Sequence, residues 1–199
     1  MMATCKWRGK NVAVLATGPS LTVRDCETVR DAGFVSVGVN SAWLIAPWVD
    51  ALYAGDARYW RAYHAEIDAA GVTGKRYSRS SHAEKHSGAK YLKTRMDKDY
   101  NSGQLAIEMA ARNGADLIVL LGFDASVSDG VHCHGPHEKT PNPTRIRCKK
   151  WLEQFARIPE HYPDARIINC SRKTAIKTFP QQSLESVIEG IFKPEIRSS

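Results

Sequence analysis

Apolar residues in this chain come in short blocks separated by polar turns. Asn11–Ala16 (NVAVLA) is an almost unbroken apolar run closed by Gly18-Pro19, and Asp116–Leu121 (DLIVLL) is the clearest run of all. Runs of about four to eight apolar residues bounded by turn formers predict strands covered on both faces. Phe34–Val39, Asp50–Ala54, Lys75–Ser78 and Ala165–Ile168 predict further strands. Helical spacing fills the gaps between them. Ser20–Arg30 is stopped by Ala32-Gly33, Ala57–Ala70 by Gly71, and Ser102–Arg112 by Asn113-Gly114. Cys148, Trp151, Leu152, Phe155 and Ala156 recur as one amphipathic stripe, and Leu184, Val187, Ile188, Ile191 and Phe192 as another.

Strands alternating with helices predict the α/β class: a single Rossmann-like three-layer domain over residues 1–192, built on a mainly parallel sheet, with a flexible tail at 193–199. Val12–Ala16 and Leu117–Leu121 are expected at its centre. Two stretches carry no period. Arg79–Tyr100 predicts a mostly irregular basic excursion, and Ala125–Pro143 a loop rich in Gly, Pro and His. Both are longer than ordinary connections, so both are expected to flank a functional site.

Composition narrows the picture. With 199 residues and 43% hydrophobic content, one domain can bury a proper core. Met1–Lys10 has no apolar region of the signal-peptide kind, and no apolar run approaches the ~20 residues of a membrane span. The five cysteines are scattered and odd in number, which fits reduced thiols in a cytoplasmic protein. The net charge is +7, and Lys75–Asp99 carries eight Lys/Arg against three acids. That charge suits an anionic ligand. It lacks the interleaved aromatics of a single-strand platform, so nucleic acid is not the expected partner. A monomer and a homo-oligomer both remain open.

In an open parallel sheet, ligands sit at the carboxyl ends of the strands. Three phrases fall there: Thr17-Gly18-Pro19-Ser20, Gly55-Asp56, and Asn101-Ser102-Gly103 running on to Gly122-Phe123-Asp124. Gly18 is expected to let the backbone approach a ligand, and Ser20 to open a helix whose amides seat a phosphate. Asn40, ending the second strand, can donate and accept to a base edge or a ribose. Asp56 suits a ribose hydroxyl or a metal-bridged phosphate, or caps the next helix. Ser102 caps a helix or bonds a ligand, beside the permissive Gly103. Asp124 faces the cleft or fastens the next loop. His132-Cys133-His134-Gly135-Pro136-His137 could ligate zinc, but its spacing matches no common zinc motif and no fourth ligand lies nearby, so no metal ligand is assigned. The other readings are a histidine base on a loop over the site and a plain exposed polar loop. The tryptophans, Trp151 included, read as packing.

Thr17-Gly18-Pro19-Ser20-Leu21, Asn40, Asn101-Ser102-Gly103 and Ile118–Asp124 together resemble the bacterial sialyltransferases that use CMP-sialic acid. They are equally similar to the motility-accessory-factor proteins and the archaeal 6-hydroxymethyl-dihydropterin diphosphokinases. The resemblance implies a nucleotide or nucleotide-sugar ligand, held by Thr17, Gly18, Pro19, Ser20, Asn40, Asp56, Ser102 and Gly103. It implies an inverting glycosyl transfer from a CMP-sugar to an unspecified acceptor. His137 is the positional match to the sialyltransferase base, His134 the next, and Asp124 the acid facing the cleft. The phosphate-holding tyrosines of those enzymes have no counterpart between Ala125 and His161. Gly55-Asp56 stands where they carry an asparagine. An acid there suits the diphosphokinase branch, in which Asp56 and Asp124 would carry Mg2+. A nucleotide-binding module without turnover is the third reading. Asp129-Gly130-Val131-His132 resembles the motility-accessory branch.

Overall fold

Seven parallel strands form one sheet in a computed structural model that describes residues 6–96 and 99–192. The expected tail at 193–199 lies outside the described residues. The strands are β1 (Asn11–Leu15), β2 (Val35–Val39), β3 (Ala51–Tyr53), β4 (Lys75–Ser78), β5 (Lys90–Tyr91), β6 (Leu117–Leu121) and β7 (Ile167–Asn169). Their order is β5-β4-β3-β2-β1-β6-β7. Thus β1 and β6 are both interior strands, paired from Asn11↔Leu117 to Leu15↔Leu121. The chain winds outward from β1 to β5, then returns to the other side of β1. That reversal is the switch point at which such sheets open a crevice.

Helices α1 (Val23–Asp31), α2 (Ala57–Ala69) and α7 (Leu184–Phe192) cover one face. Helices α4 (Ser102–Arg112), α5 (Arg145–Ala156) and α6 (Ile158–His161) cover the other, while the short α3 (Glu84–Ser87) sits near β5. Strand alternation divides the core in two. Ala13, Leu15, Leu117, Val119 and Leu121 pack under the first layer; Val12, Val14, Ile118 and Leu120 pack under the second. The continuous apolar runs follow from this, since every side chain of β6 is buried. Among the described residues no helix is long and apolar enough to cross a membrane, and the four described cysteines are free.

One local expectation needs correction. Helix α1 begins after Thr22, not Ser20: Thr22 and Asp25 form a capping box, with the Asp25 N–H donating to Thr22 Oγ1 and the Thr22 N–H to Asp25 Oδ2, both at 3.1 Å. The Arg79–Tyr100 stretch is irregular over most of its described residues, but not over all of them. It holds a 3-10 turn at Ser81–Ala83, then α3 and the edge strand β5. Elements this short display no hydrophobic period, which is why none was legible.

The two-sided burial of β6 has a measurable consequence. Leu120→Ala is expected to cost ~2–5 kcal/mol in urea unfolding, whereas Ile146→Ala, at a side chain 82% exposed on α5, should stay within ~0.5 kcal/mol.

Candidate functional site

At the carboxyl edge of the sheet two hollows adjoin. The inner one, with about 630 Å³ of empty space, lies against the ends of β1, β2 and β6 and the start of α4. Thr17, Gly18, Asn40, Ser102, Gly103 and Asp124 all line it. The wider one, about 1330 Å³, opens outward past Asp56, Arg58, His137, Arg147 and Lys150. Asn40, Asn101, Ser102, His132, Pro143 and Trp151 belong to both. With open solvent left out, the inner hollow holds about 110 Å³ and the wider one about 480 Å³, so the wider one alone reaches the ~300–1,000 Å³ usual for a small-molecule ligand. Pro19 and Ser20 do not join them. Pro19 lines a separate hollow with Asp129 and Lys173, and Ser20 is turned toward Asp124.

Several of these residues serve the scaffold as well as the cleft. Asp124 accepts from the Ser20 N–H at 2.8 Å and from the Ser20 hydroxyl at 2.5 Å. Its carboxylate therefore fastens the β1–α1 loop, upstream in sequence, and not the loop that follows it. Burial pushes its carboxyl above the usual carboxylate range, against the pull of the two Ser20 bonds. Each Asp124 oxygen accepts one bond from Ser20, and Asp56 stands exposed at the wider hollow. Asp56 occupies the N-cap position of α2 without making a side-chain cap bond.

Gly18 is small for a reason other than ligand approach. A Cβ there would stand 2.4 Å from Asp124 Oδ1 and 2.5 Å from the Gly122 carbonyl. The glycine lets the ends of β1 and β6 close on each other, and its own N–H donates to Gly122 O at 2.9 Å. Gly103 likewise makes room for the Phe123 ring, 2.9 Å from where its Cβ would lie. The cap of α4 is Asn101, which accepts from the Gln104 N–H at 2.8 Å. Ser102 Oγ instead accepts from the Gly55 N–H at 3.0 Å, tying β3 to α4. Asn101 Nδ2 also donates to Gln154 Oε1 at 2.8 Å and so sets α5 against the cleft.

The only two non-glycine residues with positive φ among those described are Asn40 and Ala125, both at 49°. Both line the inner hollow. Backbone strain of this kind costs on the order of 1–3 kcal/mol and clusters at functional sites.

The Ala125–Pro143 loop folds its three histidines together. The Cys133 N–H donates to Thr17 O at 2.9 Å, and a turn closed from Gly135 N–H to His132 O at 3.1 Å brings the chain back. Asn142 then clamps His137 from both sides, accepting its N–H at 2.7 Å and donating to its carbonyl at 3.1 Å. The ring centroids of His132, His134 and His137 lie 4.2 to 5.1 Å apart. His132 Nδ1 is hydrogen-bonded to Thr17 Oγ1 at 2.8 Å. His137 Nδ1 stands 3.5 Å from Ser41 Oγ, which is held in turn by the buried Tyr59 hydroxyl, itself accepting from Trp43 Nε1. Burial, with mutual repulsion in second place, takes His132 down to about 3 and His137 to about 4; burial lowers His134 also. All three imidazoles are thus uncharged at neutral pH. Cys133 faces the core, and burial raises its thiol to about 11, which disqualifies it as a nucleophile.

Arg58 on α2 and four residues of α5, Arg147, Lys150, Trp151 and Gln154, line the wider hollow and were not read as site residues in the sequence; the α5 four form one set. They fall at i, i+3, i+4 and i+7, one face of α5. The signal was present but overlapped the apolar stripe through Trp151. The basic Lys75–Asp99 stretch contributes less than expected; among its described residues only Asp99 reaches this hollow, where it pairs with Lys150 at 2.9 Å. Comparison with protein-family models, curated proteins and solved structures finds no match for this chain.

The Gly18–Asp124 junction makes a definite prediction. Gly18→Ala should lose ~1–3 kcal/mol of stability through overpacking, and Asp124→Ala a comparable ~1–3 kcal/mol by leaving Ser20 unpaired. Urea unfolding with intrinsic fluorescence measures both.

Proposed function

We propose that this protein is a nucleotide-sugar-dependent glycosyltransferase, with the donor nucleotide in the inner hollow and the acceptor in the wider one. The observation that carries the reading is the junction of the two compartments, which His132 shares with Asn40 and Ser102, with the His137 ring 4.2 Å from that of His132 on the side of the wider one. A binding module needs one compartment and no base. A transferase needs two compartments and a proton acceptor where they meet.

The chemistry is an inverting displacement. His137 takes the proton of the acceptor hydroxyl, and the oxygen attacks the anomeric carbon of the sugar. The bond to the nucleotide phosphate breaks, and the phosphate leaves with its electron pair. The start of α4 supplies positive potential to that leaving group, in place of the absent tyrosines, while Arg58 and Arg147 line the wider hollow on the acceptor's side. The resemblance to the CMP-sialic acid enzymes nominates a CMP-sugar as donor.

A thermal-shift panel of CMP, UDP, GDP, ATP and NAD, with and without Mg2+, tests the binding step. The cytidine nucleotide should stabilise the fold by ~2.7 kcal/mol at 100 times its Kd, independently of Mg2+. A panel with no response would remove the reading. Asn40→Gly is the informative variant, because glycine tolerates φ 49° while losing the amide. Its nucleotide affinity should fall by ~10-fold at undiminished stability. In turnover assays His137→Ala should lower kcat by ~100-fold or more with nucleotide affinity nearly intact; full activity would exclude His137 from the chemistry.

A further inference from the structure

We propose that His132, His134 and His137 bind one divalent transition-metal ion of the zinc class through three imidazole nitrogens. The inference goes beyond the transferase reading, since the metal centre stands or falls whichever ligand fills the cleft.

One ring nitrogen from each histidine can be chosen so that all three lie within 4.8 Å of one another, and no other group of three such ligands occurs among the described residues. A tetrahedral ion with bonds of ~2.0–2.1 Å would draw those nitrogens to ~3.4 Å, a small contraction for side chains carried on a loop. Two ring nitrogens of this cluster, His132 Nε2 and His134 Nε2, are buried and have no hydrogen-bond partner among the described residues. An orphaned buried acceptor or donor costs ~1–3 kcal/mol, so a native fold carrying two in one spot points to something that occupies both. None of the three forms an ion pair among the described residues.

The surroundings are those of an oriented ligand set. Thr17 Oγ1 pairs with His132 Nδ1 at 2.8 Å, which leaves Nε2 for a metal; with the metal on Nε2, Nδ1–H would be the donor to Thr17. Ser41, Tyr59 and Trp43 stand in line behind His137 Nδ1. Asn142 locks the backbone of that residue. A neutral all-nitrogen donor set selects zinc and its neighbours over Mg2+ or Ca2+, which take oxygen. Cys133 turns into the core and does not complete the set. Three protein ligands with a vacant fourth position is the pattern of a reactive zinc centre, not a structural one. His132 and His137 carry that centre to the wall of the wider hollow. With the ion in place, His137 is a ligand, and a metal-bound hydroxide becomes the proton acceptor.

The test is metal counting on the full-length chain, stripped with chelator, dialysed against zinc chloride and measured by plasma mass spectrometry. The expected result is about one equivalent per chain, with Co2+ substitution giving the visible absorption of a tetrahedral ion. His132→Ala, His134→Ala and His137→Ala should each weaken zinc by at least ~10-fold in a chelator competition, and Thr17→Val by ~10- to 100-fold through loss of the Nδ1 partner. His161→Ala, at an exposed histidine on α6, should bind zinc like the parent. Circular dichroism checks each variant, and His→Gln replaces any alanine variant that unfolds. Sub-stoichiometric zinc, or zinc undiminished in the cluster variants, overturns the proposal. Zinc bound without any nucleotide response upholds the centre while removing the transferase reading. A nucleotide response without zinc overturns the centre and leaves His137 as a free base.

Discussion

The buried Asp124 carboxylate accepts both hydrogen bonds that Ser20 can offer. Around that junction the Gly18 N–H reaches Gly122 O and the Ala16 N–H reaches Leu121 O, so the β-ladder continues past the last strand residues into the loops. The β1–α1 loop is thereby held against the end of β6, and it presents Thr17 to His132 on its far side. Without the junction, Thr17 would have no fixed position, the Cys133 N–H would lose its acceptor, and the histidine loop would have nothing to dock on. A carboxylate that looks like chemistry from its place at a strand end thus also fastens the loop that carries Thr17.

Much of the architecture was legible because burial writes itself into sequence. β1 and β6 lie between two helical layers and so must be apolar at every position, which no amphipathic helix of similar length would be. Helix starts were less secure. Ser20 and Thr22 are both good caps, and the Thr-x-x-Asp pattern favouring Thr22 is a weaker signal than the Gly-Pro turn before Ser20. At the site, topology alone brought Thr17, Asn40 and Ser102 to one edge. Roles were harder to read. A glycine that admits a ligand and one that admits a carboxylate from a distant strand look the same in sequence, as Gly18 illustrates. The histidines failed for a related reason. Their i, i+2, i+5 spacing fits no template, because convergence depends on the Gly135 turn and the Asn142 clamp.

The cleft draws on a division of labour between its two walls. The wall formed by the sheet and α4 is buried and closely tied, with Ser102, Asn101 and Gln154 joining β3, α4 and α5. The opposite wall is a loop, positioned by hydrogen bonds from Thr17, Ser41 and Asn142 to a few imidazole and backbone atoms. Closely tied donors on one side and a separately anchored histidine loop on the other suit a site that must hold one partner still while another enters.

The pairing of β1 with β6 joins residues more than a hundred positions apart, as the Asn11↔Leu117 register records. During synthesis β1 can zip to β2 almost at once, but its other edge stays open until the ribosome has released everything through Leu121. Chain closure over that span carries a large entropic cost before any contact rewards it. The cleft is consequently a late product of folding. Nascent chains that stop before β6 expose an unpaired apolar strand at the middle of the future sheet, the kind of edge that recruits chaperones or misassembles.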